Sequence, residues 1–300
     1  MIALRRYAWV VLVVNVFVIL LGALVRATGS GAGCGSSWPT CEGEVIPELE
    51  GSTAIEFTHR TVSGIALIMV VILAIWVWRQ VPLGEAARWG AGLSVIAIMG
   101  EALIGAMIVL AEWVAEDTSL ARVIAVPLHL VNTFFLLAVL TLTIHWIRGG
   151  RRLDFRRDPA VTRAVALGGL ALILIAASGA ITALADTLFP KTAGADLSGE
   201  SHLLTDLRVV HPVLAVLTAS IGWWVSSRRG TTRGPWAKWL FVLVALMLLT
   251  GALNVALGVP VWMQLVHLAL ADALWIVYVF TSAEALQISE ATESRLSPSR

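Results

Sequence analysis

The sequence predicts an all-α polytopic membrane protein whose eight transmembrane helices form two four-helix bundles related by a parallel repeat. Three observations support this class: an apolar composition, eight long apolar stretches, and matching motifs in the two halves. Of the 300 residues, 58% are hydrophobic and 14% are charged, whereas about 25% are charged in a soluble domain. The net charge of +1 provides no bulk attraction to nucleic acid, so we expect membrane lipid as the surroundings and no nucleic-acid partner.

Each of the eight apolar stretches is long enough to cross a bilayer, which takes about 20 helical residues. The first follows Arg5 and Arg6 and is too long for the core of a signal peptide, so it is interpreted as a membrane helix. Gly258 and Pro260 leave only a tight turn between the last two stretches. In order, the predicted helices lie near residues 7–28, 57–78, 88–111, 123–147, 162–184, 208–226, 236–258 and 261–283.

The basic residues predict a cell-membrane protein with both termini in the cytoplasm and the loop that carries the two cysteines outside. Cytoplasmic segments of membrane proteins carry an excess of Lys and Arg. With the N-terminus inside, only five of the 21 basic residues fall outside: Arg26, Arg60, Arg122, Lys191 and Arg208. The bias therefore strongly favours this orientation.

A basic linker at 148–163 divides the chain into an N-terminal half, 1–147, and a C-terminal half, 164–287, which a polar tail at 288–300 follows. The third helix carries the sequence LIGAM from Leu103, and the seventh carries LTGAL from Leu249. Because each half contains an even number of helices, the two halves have the same orientation. This is the arrangement of parallel repeats, which are related by an axis along the membrane normal.

Four histidines occupy matched positions near the starts of the even-numbered helices: His59, His129, His211 and His267. We expect each within the first two helical turns, and all four in the outer leaflet. An ionisable residue in a membrane segment indicates a functional site, and facing helices of a bundle commonly build cofactor sites. A single such histidine is explained as well by a hydrogen bond between helices. Four at one depth favour two bis-histidine metal or haem sites.

The ligand types favour haem over other metals. Glu56 and His59 share a helix face, but a di-iron carboxylate site needs a second Glu-x-x-His pair, and the position that matches Glu56 is Arg208. Four histidines divided between two repeats do not obviously converge on one zinc ion. Axial ligation of haem iron fits two histidines in each half. Guanidinium groups bind carboxylates in bidentate fashion, so the candidate contacts for the haem propionates are Arg26, Arg60, Arg122 and Arg208. Snorkelling to the membrane interface explains each of these arginines equally well.

The repeat differs at one position that matters for chemistry. The N-terminal half has Glu56 one turn before its histidine, and the C-terminal half has Arg208. A carboxylate can accept protons or stabilise positive charge during an oxidation, whereas an arginine cannot act as a base. We therefore predict a reactive site in the N-terminal half and a retained redox cofactor in the C-terminal half. The alternative is that Glu56 caps the second helix at the outer surface.

Other polar residues have less specific interpretations. Cys34 and Cys41 lie in the first outer loop, where an oxidising environment favours a disulfide, either as a structural staple or as a redox group. Glu101 and Asp272 lie deeper and should face the bundle interior, as a proton path or as part of a repeat interface. Two further histidines have no repeat partner and receive no role: His145 at the inner end of the fourth helix and His202 in an outer loop.

Several motifs together resemble the haem A synthase family, in its bacterial eight-helix form with a cysteine pair. The sequence reads TGSG at 28–31, GCGSSWPTC at 33–41, IEFTHR at 55–60 and VSG at 62–64. With the four outer-leaflet histidines, the resemblance covers roughly residues 8–283. One departure is that GSS follows Cys34 where some members have Pro-Asp; a disulfide stays plausible.

The resemblance implies that the protein oxidises the C8 methyl group of haem O to a formyl group, giving haem A for terminal oxidases. It implies that His59 and His129 bind the iron of the substrate haem O, and that His211 and His267 bind the iron of a cofactor haem b. Glu56 would be the catalytic carboxylate. The expected route is successive hydroxylation of the methyl group and loss of water from the geminal diol, with electrons leaving through haem b. Haem O synthase would deliver the substrate.

Two other function classes are weaker. A bis-haem transmembrane electron-transfer cytochrome b explains the four histidines, but it does not explain the difference between Glu56 and Arg208 or the cysteine loop. A transporter with parallel repeats predicts polar groups near the midplane, and these histidines lie further outward. The sequence leaves the electron acceptor, the oxygen source and the presence of a homo-oligomer open.

Overall fold

The computed structural model describes residues 1–189, 207–229 and 236–287, so His202 and the predicted tail at 288–300 lie outside the described residues. The described chain is helical, which confirms the all-α polytopic class. Seven of its helices are long and apolar enough to cross a membrane, and the sixth is apolar over the shorter stretch Leu207–Gly222. The α-helices of the described residues are α1 (Ile2–Ala27), α2 (Gly51–Gln80), α3 (Ala86–Leu110), α4 (Leu120–Ile147), α5 (Pro159–Leu188), α6 (Val210–Arg229), α7 (Ala237–Ala256) and α8 (Val261–Leu286).

Several helices begin before their apolar stretches do, because polar residues complete the first turns. In α5 the Asp158 side chain accepts hydrogen bonds from the backbone N–H groups of Ala160 and Val161, and Pro159 has the backbone angle that a first helical turn needs. Helix α2 begins at Gly51, six residues before its predicted start near residue 57. The sequence pattern missed these turns because apolar length locates the membrane core and not the helix ends.

Because α2 and α4 begin earlier than predicted, two histidines lie in a later helical turn than expected. At 3.6 residues per turn, His59 and His129 lie in the third turns of α2 and α4. The expectation that every histidine lies within the first two turns is therefore wrong for these two. It is right for His211 and His267, which lie in the first and second turns of α6 and α8.

The helices contact one another in two rings. In the N-terminal half α1 packs on α2, α2 on α3, α3 on α4, and α4 contacts α1 again. In the C-terminal half the contacts run from α5 to α6, α6 to α7, α7 to α8, and α8 back to α5. Helix α4 packs against both α5 and α8, and α1 also touches α5 and α8. Each half thus has the contacts of a four-helix group, while the parallel repeat relation itself stays a prediction.

The tightest packing lies toward the N-terminal end of α1 and the C-terminal ends of α2 and α4, away from the four histidines. Fully buried side chains there include Leu4, Leu73, Leu137, Leu140 and Ile144. Close packing of this kind holds membrane helices together by van der Waals contact, since lipid offers no hydrophobic driving force between them. These buried contacts hold the helices from which His59 and His129 project.

The two halves are joined by specific contacts as well as by the linker. The Trp275 indole N–H of α8 donates a 2.7 Å hydrogen bond to the Phe134 carbonyl of α4, and the two rings stack with centroids 5.2 Å apart. In the linker, the Asp154 N–H donates to the Leu286 carbonyl at 2.7 Å. The end of α8 is thereby tied to the segment between α4 and α5.

Candidate functional site

Each of the four histidine rings packs beside a glycine on the preceding helix. At Gly22, Gly179 and Gly251 an added Cβ atom would crowd the Cε1 atom of the ring, so the absence of a side chain makes room for the imidazole. At Gly105 the added atom would make only an ordinary van der Waals contact. The pairs, with the distance from the added Cβ atom to Cε1, are Gly22 and His59 at 3.0 Å, Gly105 and His129 at 4.0 Å, Gly179 and His211 at 2.9 Å, and Gly251 and His267 at 3.3 Å. A glycine therefore lies beside a histidine ring in each of four helix pairs: α1 with α2, α3 with α4, α5 with α6, and α7 with α8.

The sequence carries a signal for these glycines that the motif comparison captured only in part. In each odd-numbered helix the glycine is followed by alanine, at 22–23, 105–106, 179–180 and 251–252. The comparison of α3 with α7 found Gly105 and Gly251, but Gly22 and Gly179 were missed. A search for a Gly-Ala pair one helix before each histidine finds all four.

The two histidines of the C-terminal half face each other across a gap suited to a metal between them. The His211 and His267 ring centroids are 6.3 Å apart, and the ring planes are nearly perpendicular at 85°. An imidazole nitrogen binds a metal at about 2 Å and lies roughly 1 Å from its own ring centre. Two axial imidazoles on one iron therefore place their ring centres about 6 Å apart, so the observed separation fits haem.

Hydroxyl groups orient both rings of this pair. His267 Nδ1 lies 3.0 Å from Thr250 Oγ1, and His211 Nδ1 lies 3.2 Å from Ser178 Oγ and 3.1 Å from the Ile175 carbonyl. Thr250 and Ser178 direct their own hydroxyl protons to carbonyls of their helices. Their oxygens consequently accept from Nδ1–H, which leaves Nε2 of each imidazole free for iron.

The N-terminal pair has a different partner. His129 Nδ1 lies 3.1 Å from Oε2 of Glu101 on α3, close enough for an ion pair. His59 and His129 also lie close enough to interact electrostatically. The prediction that Glu101 faces the bundle interior is thus correct, but its contact with a predicted iron ligand was not foreseen.

Glu56 is buried, with 3% of its surface exposed, and it is held by three hydrogen bonds. Arg60 donates to Oε1 from Nη2 at 2.5 Å and from Nε at 3.1 Å. The backbone N–H of Cys34 donates to Oε2 at 2.9 Å. Because α2 begins at Gly51, Glu56 lies inside the helix and does not cap it. An ion pair and a backbone donor together fix the position of the carboxylate.

The cysteine loop closes over this carboxylate. Cys34 and Cys41 form a disulfide and are both buried. Arg60 donates from Nη1 to the carbonyls of Ser37 at 2.6 Å and Thr40 at 2.9 Å, so one guanidinium binds both Glu56 and the loop. The sequence predicted the disulfide, but not that its loop contacts Glu56.

A glycine allows this loop to lie directly on the start of α2. A Cβ atom at Gly33 would lie 2.4 Å from the backbone of Ser52, so no other residue fits without displacing the chain. Thr53 Oγ1 donates a 2.6 Å hydrogen bond to the Gly33 carbonyl. The loop is therefore held at both Gly33 and Cys34.

The four arginines named as propionate contacts all bind other groups of the protein. Arg60 binds Glu56 and the cysteine loop, and Arg122 donates to the carbonyls of Ala115 and Asp117. The other two have these partners: Arg26 donates to the Ala183 carbonyl, Thr187 Oγ1 and Gln264 Oε1, and Arg208 pairs with Asp186 and donates to the carbonyls of Ala185 and Phe189. Arg26 thus joins α1 to α5 and α8, and a propionate role stays a prediction for all four.

Two further predicted polar residues lie away from the histidine pairs. Asp272 on α8 is fully buried, and neither of its carboxyl oxygens has a hydrogen-bond partner among the described residues. His145 lies buried at the inner end of α4, with Nε2 3.4 Å from the side-chain amide of Gln287. Within residues 1–189, 207–229 and 236–287, no three side chains of His, Cys, Asp or Glu converge as a metal site would require.

The fold and site define a class: a multi-pass helical membrane protein with two membrane-embedded histidines in the helix group of each half. The family model described as COX15-CtaA, cytochrome oxidase assembly protein, matches residues 5–54 and 48–279. The chain belongs to this family, which confirms the predicted family of haem A synthases.

Curated relatives carry two different names. A protein called protoheme IX farnesyltransferase from Thermus thermophilus is 46% identical over 298 residues, which are 95% of this chain and 48% of that protein. A heme A synthase from Geobacillus kaustophilus is 38% identical over 143 residues, 47% of this chain and 44% of that protein. Another from Alkalihalophilus pseudofirmus is 44% identical over 104 residues, covering 34% and 35%. The chain spans about half the length of the first of these, and less of the others.

Proposed function

We propose that this protein is a haem A synthase that oxidises the C8 methyl group of haem O to a formyl group. The observation that carries the proposal is the buried Glu56, which lies one turn from His59 and is held by Arg60 and the cysteine loop. The matching position of the C-terminal half is Arg208, which pairs with Asp186. On the helices that carry His59 and His211, the residue one turn before the histidine is thus a carboxylate in the N-terminal half and a guanidinium in the C-terminal half, which supports a reaction in the N-terminal half.

The two pairs would hold two porphyrins with different roles. His59 and His129 would bind the iron of haem O, the substrate, and His211 and His267 would bind the iron of a resident haem b. The centroid separation of 6.3 Å between the latter rings supports this assignment. When bound, haem b would supply one-electron redox chemistry.

Glu56 would act where the methyl carbon loses electrons. Developing positive charge next to a porphyrin is stabilised by a fixed carboxylate, and a carboxylate can also take up the released proton. Arg60 and the Cys34 N–H hold the carboxylate in place before the reaction. Burial strengthens this interaction because water does not screen it.

The farnesyltransferase name of one relative is compatible with this function. That name belongs to a protein of which the match covers only 48%, so a transferase activity can lie in the part that this chain does not match. We infer that the relative consists of a part that is similar to this chain and a second part that is a farnesyltransferase. This supports a farnesylated haem as the substrate and haem O synthase as its source.

Membrane orientation and symmetry belong to the same proposal. Both termini would be cytoplasmic, with the disulfide on the outer, oxidising side of the cell membrane. The glycine and histidine pairs on four successive helix pairs support a parallel repeat of two four-helix bundles. Such a repeat explains how one arrangement of helices provides two porphyrin sites.

Pigment extraction tests the proposal. The full chain is co-expressed with a source of haem O, and the haems are separated by chromatography. Haem A that appears only with this protein supports the function, and a Glu56→Gln variant should bind haem but lose haem A production. Tightly bound haem b with no haem A under these conditions would contradict the proposal and favour a bis-haem electron carrier.

A further inference from the structure

The groups that approach the histidine Nδ1 atoms, the ring nitrogens that would not bind iron, differ between the two halves. In the C-terminal half, the residue before each glycine is a hydroxyl, Ser178 or Thr250, and it contacts Nδ1 of the facing histidine. In the N-terminal half the corresponding residues are Leu21 and Ile104, which have no polar group to offer. His129 is instead approached by the carboxylate of Glu101 at 3.1 Å.

Glu101 is held in place by its own hydrogen bonds. The Asn132 side-chain amide donates to Glu101 Oε1 at 2.5 Å and to the Ala97 carbonyl at 2.9 Å. Thr133 Oγ1 lies 2.8 Å from Glu101 Oε2. Both donors lie about one turn from His129 on α4, so the carboxylate is bound on the same face that presents the imidazole. A carboxyl group is costly inside a membrane and marks function when it is kept there.

The repeat shows that this carboxylate is specific to one half. Aligning Gly105 with Gly251 places Glu101 opposite Met247 and Ile104 opposite Thr250. The N-terminal half therefore has a carboxylate where the C-terminal half has a thioether. Glu56, one turn before His59 on α2, also belongs to the N-terminal half.

We propose that Glu101 is a positioning residue that accepts a hydrogen bond from His129 Nδ1–H. This hydrogen bond makes the His129 imidazole a stronger electron donor to iron than the imidazoles of His211 and His267. The identity of the bound iron porphyrin rests on the proposed function. In the structure the His129 Nδ1–H is not aligned with the carboxylate, so the proposed hydrogen bond requires the imidazole to rotate about its Cβ–Cγ bond.

The consequence is a direction for electron transfer. A carboxylate behind a metal-bound histidine raises the basicity of the ligand, and hydrogen bonding around the ligands shifts the reduction potential of haem iron. Negative charge behind His129 stabilises the oxidised iron, so the N-terminal iron has the lower potential. Thr250 provides only a neutral acceptor behind His267. Electrons then pass favourably from the substrate half to the resident haem.

The test measures potentials rather than turnover. The full chain is loaded with protohaem as the probe, and both haems are titrated by spectroelectrochemistry, with His129→Ala and His267→Ala variants to assign the two signals. Glu101→Gln should raise the potential of the N-terminal haem, weaken its binding by about 10-fold to 100-fold, and leave the C-terminal haem unchanged. Thr250→Val, which removes the hydroxyl and keeps the shape, should shift only the C-terminal haem.

An unchanged N-terminal potential in Glu101→Gln, with the C-terminal haem intact as a sign of correct folding, would overturn the proposal. A shift of both haems by the same amount would overturn it too, because that indicates a general structural effect. Protohaem loading and potentials do not depend on haem A formation. The outcome is therefore independent of whether the protein proves to be a haem A synthase.

Discussion

The N-terminal and C-terminal halves hold their histidines in the same way but surround them with different charges. In both halves a glycine of one helix makes room for a histidine ring of the next. Around the N-terminal pair lie the carboxylates of Glu56 and Glu101, whereas hydroxyls contact the C-terminal pair. The shared contact with glycine is common to both halves, and the carboxylates are the difference on which the proposed division of roles rests.

Loss of a histidine should have the largest effect and should separate the halves. His59→Ala or His129→Ala should abolish haem A formation and leave the haem b spectrum of the purified protein. His211→Ala or His267→Ala should remove haem b. The measurements are absorbance spectra of the purified variants and chromatography of extracted haems. Loss of both haems in every variant would contradict a division of roles between the halves.

Replacing the carboxylate of Glu56 should be nearly as severe. We expect Glu56→Gln to lower haem A formation by about 10²-fold or more, the range for a group that assists proton transfer, with haem b content unchanged. Glu48 is exposed in the same connection, so Glu48→Gln is the matched control and should have little effect. Equal losses in the two variants, measured by chromatography of the haems, would contradict a specific role for Glu56.

Filling a glycine should disturb only its own half. A Cβ atom at Gly179 would lie 2.9 Å from His211 Cε1, and overpacking of this kind costs about 1–3 kcal/mol. Gly179→Ala should therefore weaken haem b binding by roughly tenfold, as measured by haem titration. A Cβ atom at Gly222 would meet nothing within 4 Å, so Gly222→Ala is the control. Normal haem b affinity in Gly179→Ala would show that the ring can move aside.

Opening the disulfide should have the smallest effect if it acts as a staple. In a Cys34→Ser, Cys41→Ser double variant the loop loses its covalent closure, while the contacts of Arg60 with Ser37 and Thr40 can still form. We expect a partial fall in haem A formation and unchanged haem b content. A complete loss of haem A, with haem b retained, would instead indicate that the disulfide takes part in the redox chemistry.

Some of the site was accessible from sequence because its signals are local or repeated. The four histidines, the cysteine pair and Glu56 each lie in a short motif or recur in the second half. The role of Glu101 was not accessible, because its partner His129 lies on another helix and no motif joins the two. The Arg60 contact was accessible but was missed: its spacing of four residues from Glu56 allows an ion pair on one helix face, and the structure shows that pair.

The helical class and the membrane spans follow from composition and apolar length, because a chain in lipid must satisfy every backbone hydrogen bond within itself. Each helix meets that requirement with its own backbone, so the helical class and the spans can be predicted from the amino-acid sequence. The contacts between Glu101 and His129, between Glu56 and the Cys34 N–H, and between each glycine and its histidine depend on the rotation and depth of neighbouring helices. Rotation and depth are set by packing across the bundle, which only the assembled helices define.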